Sequence, residues 1–127
     1  MQPGPDGLAP GEAVRVVLVT VPDAETAETL VSTLVEEGLA ACGNIVPGVV
    51  SIYRWQGQVE RAGEVLLVLK TTAAAVPRLL DRVPALHPYE VPEVLVLPVA
   101  AGHAPYLSWV AASVVTLQQQ DRGAHEV

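Results

Sequence analysis

Positive charge is scarce in this sequence of 127 residues. It has 7 lysine and arginine residues against 14 acidic ones, which gives a formal net charge of −7. Because phosphate neutralisation needs clustered basic side chains, this composition argues against a nucleic-acid partner and against an anionic membrane surface. No apolar run approaches the ~20 residues that cross a bilayer. We therefore predict a protein that binds neither nucleic acid nor membrane.

Cysteine and phenylalanine are almost absent as well. Cys42 is the only cysteine, which excludes a disulfide within the chain, and there is no phenylalanine. Valine, leucine and alanine must therefore fill the core. Residues 1–13 contain no basic residue and no long apolar run, so they do not resemble a secretory signal. These features predict a cytoplasmic protein.

The chain divides into one folded domain and two ends with little to bury. Residues 1–12 are rich in proline and glycine and predict a disordered extension. The polar residues 118–127 predict a flexible tail. The predicted domain covers residues 13–117 between them.

Hydrophobic periodicity divides this domain into four strands and three helices. The order β-α-β-β-α-β with a closing helix predicts an α+β fold, a ferredoxin-like sandwich with two helices on one face of the sheet. Pro47-Gly48 predicts a bulge in the second strand. Pro77 and Pro84 predict that the second helix is shortened. The predicted strands cover residues 14–21, 41–55, 64–70 and 93–99, and the predicted helices lie between Asp23 and Gly38, over 73–86 and from Pro105 onward.

Three of the predicted strands lack the alternation expected of a sheet with one covered face. Residues 16–19, 65–69 and 94–97 are apolar at every position. The third helix is too short to cover the second face alone. Since monomers rarely expose several hundred Å² of contiguous apolar surface, we expect a homo-oligomer that buries the helix-free face.

Residues 87–90 carry the densest group of reactive side chains. His87, Tyr89 and Glu90 flank Pro88 on a connector that prolines hold extended, and such loops commonly present binding sites. His87 could be a metal ligand, a general acid–base or a structural histidine at the end of a helix. Glu90 could share a cation with His87 or be a solvated acid. Tyr89 could bind a ligand through its hydroxyl or only pack.

Three further residues are candidates for a ligand pocket near this connector. Cys42 could bind a soft metal, although its apolar surroundings favour a small buried hydrophobe. Lys70 could hold an anion, and the favoured alternative is an ion pair with Glu64 or Glu90. Trp55, like Tyr53 in the same predicted hairpin, is more typical of packing or of an interface than of a stacking platform. One chain offers no complete set of metal ligands, so a tight metal site would need residues from a neighbour.

Several motifs together resemble the CutA family of divalent-cation tolerance proteins, and the likeness covers nearly the whole predicted domain. The motifs are VTVPD at 19–23, LAACGNIVPG at 39–48, SIYRWQG at 51–57, EV at 64–65, KT at 70–71, HPYEVPE at 87–93 and YLSW at 106–109. The resemblance implies a ferredoxin-like subunit in a tight homotrimer whose strands pair across subunits. It also implies a role in tolerance of divalent cations, copper especially.

The resemblance also bears on the metal ligands. Copper-binding members are associated with a cysteine on the first strand and two histidines before the Pro-Tyr pair. The corresponding positions here are Val19, Leu86 and His87, so only one member of that set is present. We therefore expect weak binding of copper or another divalent cation, with His87 and Glu90 as ligands, and no required cofactor.

Two other functions stay open at the level of the sequence. A trimeric signalling protein resembling the PII type would bind a nucleotide or an organic anion between subunits, although basic residues are scarce. A trimer without a ligand would scaffold protein partners. The sequence has no serine-hydrolase motif, phosphate loop or visible nucleophile–base pair, so we predict that the protein is not an enzyme.

Overall fold

A computed structural model describes residues 7–115 of the chain. Its four strands form one antiparallel sheet in the order β2-β3-β1-β4. The strands are β1 (Val14–Val21), β2 (Cys42–Trp55), β3 (Gln58–Thr72) and β4 (Val94–Pro98), and the helices are α1 (Ala24–Glu36), α2 (Val76–Leu86) and α3 (Ala104–Ser113). This order confirms the predicted ferredoxin-like α+β fold with its closing helix. Among the described residues, no helix is long and apolar enough to cross a membrane.

Helix α1 is bounded by the two residues that the sequence assigned to its ends. Asp23 has extended backbone, and its Oδ1 accepts a hydrogen bond from the Thr26 backbone N–H at 2.8 Å. This hydrogen bond favours the charged carboxylate and lowers the pKa of Asp23. Beyond the helix, Gly38 has a φ of +72°, and a Cβ at this position would collide with Val115. Glycine is therefore required there for both conformation and space.

The prolines of β2 and α2 act in different ways. The pairing of β2 with β3 shifts register between Val46 and Val49, which confirms the predicted bulge at Pro47-Gly48. Pro77 lies in the first turn of α2, after a 3-10 turn at Ala73–Ala75, so the helix is shortened at its start. The predicted shortening by Pro84 is wrong, because the helix continues to Leu86. Pro84 lies so near the end that few backbone hydrogen bonds depend on it.

The main core lies between the sheet and the first two helices. Val17, Val19 and Val21 of β1 are fully buried there, together with Leu67 and Leu69 of β3. The residues that α1 and α2 contribute are Ala27, Leu30, Val31, Leu34, Leu79 and Val83.

A second cluster packs α3 against one end of the sheet. It contains Leu107 and Val110 of α3 together with Val14 of β1. Leu8 is buried in the same cluster, and a 3-10 turn follows at Pro10–Glu12. Residues 7–12 belong to the predicted disordered extension, and the structure gives this part a turn and a buried leucine. The predicted tail at 118–127 lies outside the described residues.

The face of the sheet opposite the helices is largely uncovered in a single chain. Leu95 and Leu97 of β4 are 53% and 43% exposed, and Val46 of β2 is 41% exposed. Val16, Leu18, Leu66 and Val68 are half-buried on the inner strands. We call this surface the open face.

A two-stranded ribbon extends beyond the sheet. β1 pairs with β3 only from Val65 to Thr72, so the preceding residues of β3 pair with β2 alone. We call this ribbon, Val49–Trp55 with Gln58–Glu64, the arm. It ends in a two-residue turn at Gln56-Gly57, whose φ values of 49° and 80° are both positive, as a type I′ turn requires. The arm makes β3 longer than predicted at its N-terminal end.

Candidate functional site

The connector from α2 to β4 carries the predicted site residues past the end of β1. Helix α2 ends at Leu86, and His87 adopts extended backbone with φ −87° and ψ 138°. Pro88 disfavours helical backbone at the preceding residue, so the helix cannot run into the connector. The side chains of His87, Tyr89 and Glu90 are thereby presented between β1 and the arm.

His87 is buried, and both nitrogens of its ring have partners. Nδ1 accepts a hydrogen bond from the Tyr89 backbone N–H at 3.1 Å, so Nδ1 carries no proton in this arrangement. Nε2 then carries the proton and donates to the Thr20 carbonyl oxygen at 2.7 Å. The rings of His87 and Tyr89 lie with their centroids 4.8 Å apart. These contacts give His87 a structural role that joins the connector to β1.

Tyr89 joins the same connector to β3. Its hydroxyl donates a hydrogen bond to Oε2 of Glu64 at 2.9 Å, and Glu64 is nearly buried. Burial of the phenol, together with the hydrogen bond to the Glu64 carboxylate, raises the pKa of Tyr89 to about 12. The neutral hydroxyl therefore persists across the physiological range and satisfies one oxygen of a buried acid.

A groove lies between the connector and the arm and has a volume of about 370 Å³. Tyr53 and Trp55 contribute from the arm, and Tyr89 and Glu90 contribute from the connector. Pro88 and Val91 complete the described lining. The Glu90 side chain is exposed and is not needed to satisfy a buried partner, so it is available to a ligand. The structure thus brings Trp55, Tyr89 and Glu90 together in one groove.

The two faces of the arm differ in chemistry. Residues paired directly across an antiparallel ribbon lie on the same face, so Tyr53 with Glu60 and Trp55 with Gln58 share the face that contributes to the groove. The opposite face is apolar and basic. Its residues are Val50, Ile52, Arg54, Val59 and Arg61. The arm therefore directs its aromatic and acidic side chains toward the groove and its arginines away from it.

Lys70 and Cys42 lie elsewhere, although the sequence placed them in the same pocket. Cys42 of β2 and Lys70 of β3 are cross-strand partners. Lys70 follows Glu64 by six residues along an extended strand, which separates them by about 20 Å. Lys70 Nζ donates to the side-chain oxygen of Asn44 and to the Val68 carbonyl oxygen at 3.4 Å. The predicted ion pair of Lys70 with Glu64 or Glu90 is therefore wrong.

Cys42 has a partner of its own in α3. Its Sγ lies 3.5 Å from the Tyr106 hydroxyl, and its side chain is half-buried rather than enclosed. The contact with Cys42, together with burial, raises the pKa of Tyr106 to about 12. This pair belongs to the end of the sheet where α3 packs, far from the groove.

The described residues of one chain do not form a complete metal site. Within residues 7–115, no group of three or more His, Cys, Asp or Glu side chains is arranged to hold a metal ion. Val19 is fully buried between the sheet and the helices, and Leu86 is half-buried at the end of α2. These two apolar side chains cannot supply the ligands that the family resemblance places at their positions.

Two residues of this site were missed or misassigned from the sequence. Glu64 was considered only as a partner for Lys70, and nothing in the local pattern indicates its bond to Tyr89. Tyr53 was interpreted as a packing or interface residue. Its position beside the groove could have been found from the Gln56-Gly57 turn, because a two-residue turn fixes the cross-strand register of the arm.

Comparison with protein families decides the relationship. Residues 15–113 match the family described as CutA1 divalent ion tolerance protein. The chain belongs to this family. A curated relative from Thermus thermophilus, named divalent-cation tolerance protein CutA, is 59% identical over 96 residues that cover 76% of this chain and 93% of the relative.

Solved structures from the CutA family share the fold. The divalent cation tolerance protein from Thermus thermophilus is 55% identical, with a TM-score of 0.79 over 80% of this chain and 99% of that chain. A structure from Archaeoglobus fulgidus, described as a periplasmic divalent cation tolerance protein, is 32% identical, with a TM-score of 0.78 over 80% of this chain and 99% of that chain. The fold and the relationship to divalent-cation tolerance proteins therefore agree with the sequence prediction.

Proposed function

We propose that this CutA-family protein acts in divalent-cation tolerance as a homotrimer that binds a cation weakly at a subunit boundary. Copper is the expected cation. The observation that carries the proposal is the combination of an uncovered apolar sheet face with a groove between an exposed arm and the connector. Assembly would cover the open face and would place another chain beside the groove.

The exposed apolar side chains support assembly. Leu95, Leu97 and Val46 are exposed on the open face, and Ile52 and Val59 are 69% and 67% exposed on the arm. Monomers rarely leave contiguous apolar surfaces of this kind in water. A trimer would cover the open face and pair the arms with neighbouring strands.

Light scattering across micromolar concentrations tests the assembly. We expect the mass of a trimer, and we expect Leu95→Glu to yield smaller species because it places a charge on a surface that must become dry. Leu80→Glu is the matched control, since Leu80 is 40% exposed on α2, away from the open face. A wild-type protein that stays monomeric throughout would refute the proposed assembly.

The proposed cation ligands are His87 and Glu90, with further ligands from a neighbouring subunit. The proton on Nε2 of His87 is held by a backbone carbonyl, which is a common outer contact of metal-binding histidines. Nδ1 could bind a cation only by giving up its hydrogen bond with the Tyr89 amide. This exchange, and the absence of a third ligand among the described residues, are reasons to expect weak affinity.

Calorimetric titration with Cu²⁺ and Zn²⁺ tests the ligands. We expect His87→Ala and Glu90→Gln each to weaken binding at least tenfold, which corresponds to a loss of about 1.4 kcal/mol. Circular dichroism must show that His87→Ala still folds, because this variant loses contacts to β1 and the connector. His103→Ala is the control, since His103 is exposed in the loop before α3. Unchanged affinity in both site variants would remove His87 and Glu90 as ligands.

The groove favours a cation over the anionic ligands of a PII-like protein. None of its described lining residues is basic, and Glu90 is acidic. A thermal-shift screen separates the classes, since only ligands that bind the folded state raise its melting temperature. We expect metal salts to raise it and nucleotides to leave it unchanged. A shift with nucleotides alone would favour the PII-like alternative.

We also propose a binding role without catalysis, and a location in the cytoplasm. Tyr53, Tyr89 and Glu90 are the ionisable side chains in the described lining, and they contain no nucleophile paired with a base. Cell fractionation tests the location, and recovery in a periplasmic or secreted fraction would contradict it.

A further inference from the structure

The groove combines three aromatic rings with one carboxylate. Tyr53, Trp55 and Tyr89 line it together with Glu90, and the aromatic side chains are 45%, 47% and 37% exposed. We propose that this groove binds a small organic cation, an alkylated ammonium group, against the faces of these rings. The proposal goes beyond the metal binding proposed above: the two share Glu90, but His87 does not line the groove.

The electrostatic surroundings select positive charge. Glu60 lies opposite Tyr53 on the face of the arm that borders the groove, and Glu64 bonds the Tyr89 hydroxyl. The arginines of the arm, Arg54 and Arg61, belong to its other face. In addition, the chain as a whole carries a net charge of −7. A neutral or anionic molecule of the same shape would gain nothing from these charges.

The chemistry of the lining suits an organic cation, whereas it offers a metal ion few free donor atoms, in line with the weak metal binding proposed above. A metal ion needs several strong donor atoms, but both ring nitrogens of His87 and the Tyr89 hydroxyl already have partners. Glu90 is left as the one carboxylate in the described lining. Aromatic faces attract cations through their quadrupole, and alkylated ammonium groups are recognised in this way because they are weakly hydrated.

The size and openness of the groove set the expected affinity. Its volume of about 370 Å³ is in the range of small-molecule sites. In a single chain the rings are partly exposed, so each contact with the cation is worth less than in an enclosed cage. We therefore expect a dissociation constant of about 1 mM for a simple ligand such as tetramethylammonium.

Ligand-observed NMR of tetramethylammonium with the full-length protein tests the proposal at constant ionic strength. We expect Trp55→Leu and Glu90→Gln each to weaken binding about tenfold. Trp109→Leu is the matched control, because Trp109 is also 47% exposed but lies on α3. tert-Butanol, an uncharged molecule of similar shape, is expected to bind at least about tenfold more weakly.

A second readout uses tryptophan fluorescence. In the Trp109→Phe variant, Trp55 is the only tryptophan, so quenching by tetramethylammonium reports the groove directly. Saturable quenching in this variant, and its absence in Trp55→Phe, would support the proposal.

The outcomes distinguish this proposal from the metal hypothesis. Cu²⁺ binding that depends on His87, without tetramethylammonium binding, would overturn the organic-cation site and leave the proposed function standing. Tetramethylammonium binding that is lost in Trp55→Leu, without metal binding, would support the organic cation and remove the metal ligands. Equal binding of tetramethylammonium and tert-butanol, or loss of binding in Trp109→Leu alone, would also overturn the proposal.

Discussion

The two faces of the sheet are built from the same strands and the same kinds of residue, but only one is buried by the chain itself. Val17 and Val19 of β1 are fully buried beneath the helices, whereas Leu95 and Leu97 of β4 are about half exposed on the open face. Side-chain hydrophobicity is similar on both faces. An apolar residue in a strand therefore identifies a surface that must be covered. It does not distinguish cover by a helix of the same chain from cover by another chain.

The largest contrast is expected between two neighbouring residues of β3. Leu67 is fully buried beneath the helices, so Leu67→Ala should lower the free energy of unfolding by about 2–5 kcal/mol at any protein concentration. Leu66→Ala, on the open face, should have a smaller effect that grows with protein concentration if assembly covers it. Urea unfolding at several concentrations measures both. Equal, concentration-independent losses would contradict the distinction between the faces.

A smaller contrast is expected between two glycines, one on β2 within the main sheet and one on β3 within the arm. A Cβ at Gly43 would lie 2.7 Å from Leu69 and 2.8 Å from Val31, so Gly43→Ala should cost about 1–3 kcal/mol through overpacking. A Cβ at Gly63, on the arm, would meet nothing within 4 Å. Gly63→Ala should therefore change stability by less than about 0.5 kcal/mol. Thermal and urea unfolding of the two variants test whether the covered side is as tightly packed as the structure indicates.

Two tyrosine hydroxyls, one on the connector and one on α3, provide a third comparison. Tyr89→Phe leaves the nearly buried Glu64 carboxylate without its hydrogen bond, which should cost about 1–2 kcal/mol. Tyr106→Phe removes only a weak contact with the Cys42 sulfur, and we expect a loss of about 0.5 kcal/mol or less. Urea unfolding at neutral pH checks the pair. A larger loss in Tyr106→Phe would mean that the end of the sheet near α3 depends on its polar contact more than the arm does.

The last prediction concerns alkaline pH. The pKa of Tyr89 is about 12 in the folded protein, against an ordinary value of 10.0. Because the raised pKa means that the folded state keeps a proton which the unfolded state releases, the free energy of unfolding should fall as the pH rises from about 10 to about 12. Tyr106 contributes in the same direction. The double variant Tyr89→Phe/Tyr106→Phe should show a flatter profile over this interval, and an unchanged slope would exclude these phenols as its cause.

The elements of the fold could be predicted because their signals are local. Asp23 and Gly38 mark the ends of α1 through a side-chain cap and a positive φ, and Pro47-Gly48 marks a bulge. The N-terminal part of β3 was missed because Gln58 to Gly63 are largely exposed and polar, and lack the alternation of a half-buried strand. Their extended conformation follows from pairing with β2 rather than from their own composition.

The candidate site could be predicted only in part, because it depends on contacts between distant segments. The cluster of His87, Tyr89 and Glu90 is visible in the sequence, but the bond from Tyr89 to Glu64 needs the position of the connector against β3. Lys70 was assigned to the same region because strand length was not converted into distance. Six residues of extended strand separate it from Glu64, and that separation is larger than any side chain can bridge.

The Gln56-Gly57 turn has a consequence for how the protein can vary. Side chains alternate along each strand of the arm, so inserting or deleting one residue in β3 next to the turn would shift its pairing by one position. Gln58 and Glu60 would then change places with Val59 and Arg61, and an arginine side chain would be introduced beside the aromatic rings. Changes of length in this loop are therefore far less tolerable than changes of residue type, even though the loop lies at the surface.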